Sequence, residues 1–231
     1  MMWEMCGRFA LWSLMRALAE EFDLEASDVG MELRPRYNIA PSQTVHVVAR
    51  RDGADRLVEM RWGLVAPWSK ELTSRAPINA RAETVAERPT FRAPLRRRRV
   101  LVPADAFYEW RKSGGGRKVP MAIGLRSRAP MALAGIYDVW RPPEGPALES
   151  FAILTTTANA LMAPIHDRMP VIVPRASRAR WLDPEVQDPA RLSDVLAPYP
   201  ASEMEAHQVS MRVNSPANDG PELVEPVRGI L

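Results

Sequence analysis

The sequence predicts an α+β fold in a single domain: a strongly bent, barrel-like antiparallel β-sheet with helices packed outside. Short apolar runs rich in Val, Ile, Thr and aromatic residues recur along the chain, each bounded by Gly, Pro or Asp, as strands closed by turns are. Helical patterns lie between some of these runs, but strands and helices do not alternate regularly, which argues against a doubly wound parallel sheet. The 231 residues carry no linker, low-complexity tail or repeat, so one domain is expected.

Taken in order, residues 11–22 set Leu11, Leu14, Met15, Leu18 and Phe22 at helical spacing opposite Arg16, Glu20 and Glu21, the pattern of an amphipathic surface helix. Arg34 to Pro41 reads as extended, because each proline moves its predecessor out of the helical region. Thr44–Arg50 and Arg56–Trp62 form a strand pair across an Asp52-Gly53 turn. Gly63–Lys70 is a loop carrying Trp68, and the segment from Ile78 leads into a short helix reaching about Phe91. Arg96–Arg99 is a charge run, most simply a solvated face, with phosphate tracking as the alternative. Val100–Val102 and Ala106–Trp110 are strand, turning at Ser113–Gly116 into Val119–Leu125. Further strands are expected at Met131–Trp140, Phe151–Thr156 and Val171–Val173. Helices are expected near 176–182 and 190–196, and a closing strand near 208–213.

Composition excludes several classes. With 46% apolar and 26% charged residues the chain is an ordinary globular protein. A formal net charge of +3 permits an anionic partner without demanding one. One cysteine forbids an internal disulfide and fits a reducing compartment. No apolar run is long enough to span a bilayer. Charges at Glu4, Arg8, Arg16, Glu20, Glu21 and Asp23 break any signal-peptide core, so a cytoplasmic location with access to the chromosome is expected. One cysteine with three scattered histidines makes no metal site, and no cofactor motif is present.

Five residues carry candidate roles. Cys6 lies directly behind Met5; if the chain begins at Met5, or is cut there, Cys6 presents a 1,2-aminothiol. Its amine and thiol have reference pKa values of about 7.7–8.0 and about 8.5, leaving both a reactive fraction near neutrality. An aldehyde would form an imine with the amine, and the thiol would close a five-membered thiazolidine. The plainer reading is a small buried hydrophobe. Glu109, between Tyr108 and Trp110, is a general acid or base if desolvated, or a solvent-facing strand residue if not. His166 is a proton carrier or a turn histidine. Asn79 orients a reacting group or caps a turn. Trp68 is core or a stacking platform.

Met-Cys-Gly-Arg-Phe, Arg-Tyr-Asn-Ile-Ala-Pro, Arg-Trp-Gly-Leu-Val-Ala-Pro-Trp, Asn-Ala-Arg-Ala-Glu-Thr, Phe-Tyr-Glu-Trp, Ala-Gly-Ile-Tyr and His-Asp-Arg-Met-Pro occur in that order. From Cys6 to about Val227 this closely resembles the SOS response-associated peptidase family of abasic-site processing proteins. The resemblance implies a protein that crosslinks itself to abasic sites in single-stranded DNA through a thiazolidine. Cys6 would be the nucleophile, Asn79 would position the sugar or amine, Glu109 would act as acid and base, and His166 would transfer protons around the imine. Arg81 and Arg8 would hold phosphates, and Trp68 would stack or wedge beside the lesion. A lyase side reaction at the imine is a further implication, and a monomer is the default expectation.

Residues 1–5 precede the position at which the family usually starts. They are expected to be absent from the active protein or removed, leaving 6–231 as the functional domain. Two rivals stand beside the crosslinking reading. One is a thiol peptidase using Cys6, His166 and Glu109 or Asn79; the other is a non-covalent single-strand binding module.

Overall fold

The computed structural model describes residues 6–24, 33–73 and 75–227; the extension 1–5 lies outside them. In chain order the elements are β1 (Phe9–Leu11), α1 (Met15–Glu21), β2 (Arg36–Ile39), β3 (Thr44–Arg51), β4 (Ala54–Trp62), β5 (Asn79–Arg81), α2 (Pro89–Arg97) and β6 (Arg99–Ala104). There follow β7 (Ala106–Lys112), β8 (Lys118–Leu125), β9 (Met131–Trp140), β10 (Leu148–Thr157), β11 (Arg168–Pro170), α3 (Arg178–Leu182) and β12 (Met204–Gln208). Five strands close on themselves in the order β10-β4-β3-β6-β9 through the β9–β10 pairing, and a second sheet runs β12-β8-β7-β1-β2. The fold is the expected α+β domain, a barrel and an antiparallel sheet with helices outside. No helix among the described residues is long and apolar enough to cross a membrane.

Alternation along the barrel strands sorts side chains into two cores. Val47, Ala49, Val100, Val102, Phe151 and Ile153 point inward and meet Phe9, Phe107 and Ile123 of the second sheet. Val48, Leu101, Ala134 and Leu154 point outward, beneath Leu18 of α1, Leu95 of α2 and Trp181 of α3. The β3–β4 hairpin turns on Asp52 and Gly53, both with positive φ (49° and 83°), as a two-residue turn matched to strand twist requires. The outer face of the second sheet (Ala10, Tyr108, Ala122) is covered by Val209, Val213 and Leu223 of a carboxy-terminal strap.

Several local expectations are corrected. The first helix does not begin at residue 11: Leu11 ends β1, and Leu14 is 67% exposed. Asp105 accepts the amides of Trp12 (2.6 Å) and Ser13 (2.7 Å) and the Ser13 hydroxyl (2.5 Å), holding these residues out of the helix. The sheet is not wholly antiparallel, because β10 runs parallel first to β4 (Phe151 opposite Trp62) and then to β5 (Ile153 opposite Asn79). Thus β5 continues the edge that β4 leaves. The segment from Ile78 is this strand, and the helix starts only at Pro89, whose fixed φ suits a first turn. The strand expected at 171–173 lies at 168–170, with Ile172 making one bridge to Leu133. The helix expected near 190–196 is a 3₁₀ turn at Pro189–Leu192, and the closing strand is β12, followed by a 3₁₀ turn at Met211–Asn214.

The arginine run is only partly a solvated face. Arg99 is 3% exposed; it donates to the carbonyls of Leu95 (2.6 Å) and Arg96 (2.7 Å) and to those of Trp181 and Asp183. Burial lowers its pKa to about 10, and its guanidinium joins the end of α2 to the end of α3. Arg98 reaches Asp138 at 3.1 Å and Arg97 reaches Gln187 at 3.1 Å.

Candidate active site around Cys6

Glu109 shares a face of β7 with Phe107, two residues earlier, so it points toward the central core and is 3% exposed. The solvent-face reading fails here. Opposite it, Cys6 is also 3% exposed and has a φ of +49°, a region a non-glycine residue seldom enters and one that stores backbone strain at functional sites. In this geometry the Cys6 backbone nitrogen donates to Glu109 Oε1 at 2.6 Å. The thiol donates to the same carboxylate.

Electrostatics follow from the burial. The Cys6 thiol is pushed well above its ordinary value, first by desolvation, then by the charge and hydrogen bond of Glu109, while Arg168 pulls it back. The Glu109 carboxyl is raised by desolvation. The Cys6 N–H, the charge of His166, the thiol and the Trp110 N–H oppose that rise. A carboxylate held in this way accepts a proton more readily than one in water.

His166 sits after Ile165, which belongs to the central core. Its Nδ1 lies 3.2 Å from the Arg168 amide and 2.8 Å from Asp167 Oδ1. A bare Nδ1 accepts from the amide, and a protonated Nδ1 donates to Asp167. His166 and Glu109 line one cleft of about 310 Å³ together with Trp110, Arg117, Lys118, Met211 and Asn214.

Asn79 faces the central core side, since its cross-strand partner is Ile153 whereas Ala80 faces the outer core. Arg81 lies on the same face of β5 as Asn79 and is exposed. Trp68 is 63% exposed, so the core alternative is not what the loop adopts. The loop is pinned on both sides of it: the Val65 amide donates to Ser150 Oγ (2.8 Å), and Trp140 Nε1 donates to the Ser69 carbonyl (2.8 Å). Arg8 is placed differently from Arg81. It is 1% exposed, and its Nη1 donates to Asn38 Oδ1 and to the Val213 carbonyl, both at 2.7 Å. At 1% exposure Arg8 presents almost no surface to a phosphate from outside.

Sequence reasoning missed three contributors. Arg168, inside the His-Asp-Arg-Met-Pro motif, is 9% exposed, forms a bidentate pair with Glu83 (2.5 and 2.8 Å), bonds the Thr155 carbonyl (2.7 Å) and bears on the thiol. Asn38, within Arg-Tyr-Asn-Ile-Ala-Pro, gives its amide to the carbonyls of Ser215 (2.9 Å) and Asn218 (2.8 Å) and so fastens the strap. Met211 and Asn214 of that strap wall the cleft. The motifs flagged the first two; nothing in the local sequence flagged the strap.

The fold and site define a class: an α+β barrel protein in which a buried cysteine meets a buried carboxylate beside a cleft carrying a histidine. A family model described as SOS response associated peptidase (SRAP) matches residues 5–216. The chain is 46% identical over 222 residues to the abasic site processing protein YoqW of Bacillus subtilis, covering 96% of this chain and 99% of that one. It is 44% identical to YoaM of the same organism, covering 96% and 98% respectively. An X-ray structure of a protein from Bacteroides thetaiotaomicron superposes with a TM-score of 0.84 at 25% identity, covering 96% of this chain and all of that one. The chain belongs to the SOS response associated peptidase family.

Proposed function

We propose that this protein processes abasic sites in single-stranded DNA by forming a thiazolidine crosslink through Cys6. The observation that carries the reading is the 2.6 Å hydrogen bond from the Cys6 nitrogen to Glu109. A nitrogen held against a desolvated carboxylate is poised to lose a proton, and once Cys6 is terminal that nitrogen is the α-amine. The names of YoqW and YoaM support the same substrate.

The steps balance without a cofactor. The amine attacks C1′ of the ring-opened sugar; Glu109 takes the excess amine proton and returns it to the former carbonyl oxygen, and His166 supplies the second proton with which that oxygen leaves as water, giving the protonated imine. The thiol then adds to the imine carbon, its proton passing to Glu109, now ionised again, and on to His166, and the five-membered ring closes. The net change is aldehyde plus aminothiol giving thiazolidine plus one water. The raised thiol pKa keeps Cys6 protonated until Glu109 accepts from it. Ring closure is intramolecular at that stage, an advantage worth up to about 7–11 kcal/mol in ideal cases. Arg81 meets the phosphate backbone, Trp68 supplies an exposed ring beside the lesion, Asn79 orients the sugar, and Arg8 acts by holding the strap.

The same bond supports removal of residues 1–5. While Cys6 is internal, its nitrogen is the leaving group of the Met5–Cys6 peptide. Thiol attack on the Met5 carbonyl would break that C–N bond as a proton passes to nitrogen, and water would hydrolyse the resulting thioester. The family description as a peptidase fits this step. The test is a denaturing gel with protein beginning at Cys6 and a single-stranded oligonucleotide carrying one abasic site. A heat-stable shifted band, absent with undamaged DNA, is expected; its absence would remove the crosslinking reading and leave the peptidase.

A further inference from the structure

A second cavity shares no lining residue with the cleft beside Cys6. The chain crosses from the second sheet to the barrel between β2, an edge strand, and β3, and the cavity lies beside that crossing. Ile39 and Val45, both buried members of the central core, line it together with the partly exposed Leu11 and Leu33. Aliphatic surface left facing water is unfavourable in proportion to its area, and an apolar guest would cover it. The volume of about 260 Å³ falls just below the usual range of ligand pockets, about 300–1,000 Å³. It suits a short aliphatic or single-ring molecule and is too small for a nucleotide.

The polar lining favours an anion. Arg34 is exposed, and no ion pair holds it among the described residues. Arg36 is set in place beforehand: Nη1 donates to the Thr44 carbonyl at 3.2 Å, and Nη2 donates to Gln43 Oε1, which also accepts the Ala40 amide at 3.1 Å. A guanidinium carries five N–H donors, of which these bonds use two. Its Nε stands 4.0 Å from Asp219, too far for a hydrogen bond. His46 and Glu59 face each other across the β3–β4 ladder, with Nε2 3.8 Å from Oε1. Burial lowers the His46 pKa, Glu59 opposes that fall, and the charge of Arg36 adds to it. Glu59 is the one acid in the lining. Its side chain is 65% exposed, against 31% for Arg36 and 24% for His46, so water screens the carboxylate more than it screens the guanidinium.

We propose that this cavity binds a small monocarboxylate with an apolar body, its carboxylate on Arg34 and Arg36 and its body against Leu11, Leu33, Ile39 and Val45. The planar fork of a guanidinium matches the two oxygens of a carboxylate, and the fixed Arg36 loses little freedom on binding. The site stands apart from the chemistry at Cys6 and does not depend on the crosslinking reading.

The experiment titrates the isotope-labelled protein with hexanoate, hexanol and acetate and follows the backbone amide resonances. Hexanoate should give saturable shifts at Leu11, Arg34 and His46 and leave Trp110 and Asn214, in the other cleft, unmoved. Hexanol lacks the charge and acetate lacks the body, so each should bind about tenfold more weakly or worse. Arg34→Glu should weaken hexanoate about tenfold or more and leave hexanol unchanged. Thermal melting checks that this exposed substitution leaves the fold intact. Acetate or hexanol binding as tightly as hexanoate would overturn the proposal, as would an Arg34→Glu variant that binds hexanoate like the wild type. Hexanoate shifts centred on Trp110 and Asn214, or no saturable shift at all, would overturn the site itself. So would displacement of hexanoate by an undamaged single-stranded oligonucleotide, because the cavity would then belong to a DNA-binding surface.

Discussion

The backbone nitrogen of Cys6 donates to Glu109 Oε1 across 2.6 Å, joining residues that stand 103 positions apart in the chain. Both are 3% exposed, so neither finds a substitute partner in water. The bond ties the proposed nucleophile to its proposed proton acceptor, and each of them shifts the other's protonation.

Glu109→Gln keeps the shape of this contact and removes its charge. Crosslinking should slow by about 10²–10⁴-fold, the usual contribution of one positioned acid or base. The wild-type rate should also fall on acidification. Burial raises the Glu109 carboxyl, so the fall should begin above the ordinary glutamate value of about 4.3. The Gln variant should lack that acid limb, which a pH–rate profile would show directly.

Arg8→Ala should cost stability more than chemistry. It removes a charged donor from Asn38 Oδ1 and from the Val213 carbonyl in the interior, and hydrogen bonds to charged groups contribute about 1.5–3 kcal/mol each. A loss of roughly 3 kcal/mol in urea unfolding is expected, accompanied by faster proteolysis within residues 209–227. Unchanged stability would show that the strap holds without Arg8.

Trp68→Ala should behave oppositely. The ring is 63% exposed, and surface substitutions away from special features stay within about 0.5 kcal/mol. Affinity for abasic single strands should nonetheless fall by the equivalent of about 1–3 kcal/mol if a base stacks on it. Fluorescence anisotropy with Cys6→Ala/Trp68→Ala against Cys6→Ala isolates binding from crosslinking.

Glu83 provides a pH-dependent stability test. Its hydrogen bonds from Arg168 lower its pKa in the folded state. A depressed carboxyl contributes stability fully above its unfolded pKa of about 4.3 and loses it as pH falls through the lower folded value. The Glu83 side chain is 45% exposed, so screening holds the effect to about 1 kcal/mol or less. Urea midpoints of the wild type should exceed those of Glu83→Gln at pH 7 and converge with them near pH 3.

Much of the fold was legible because alternation and turn chemistry act locally. The β3–β4 hairpin follows from its Asp52-Gly53 turn, and the inward and outward residues of the barrel strands follow from period two. Tertiary contacts overrode local pattern where the reading failed. Asp105 pulls Trp12 and Ser13 out of the first helix, and the edge vacated by β4 makes β5 a strand. At the candidate site, family motifs singled out Cys6, Asn79, Glu109 and His166, but not the bond between Cys6 and Glu109. They also gave no sign that Arg8 is interior and Arg81 exposed, although both stand in equally polar motifs. Arg168 and the strap escaped notice because their roles exist only through partners distant in sequence.

The most direct test of the central claim is intact mass spectrometry of the crosslinked product with and without borohydride. Protein beginning at Cys6 should give an adduct equal to protein plus abasic oligonucleotide minus one water, unchanged in mass by the reductant because a thiazolidine has no imine to reduce. Cys6→Ala, which keeps the amine, should be captured only in the presence of borohydride, with two hydrogens added. A wild-type adduct that gains those two hydrogens, or one that forms while residues 1–5 remain attached, would contradict the account.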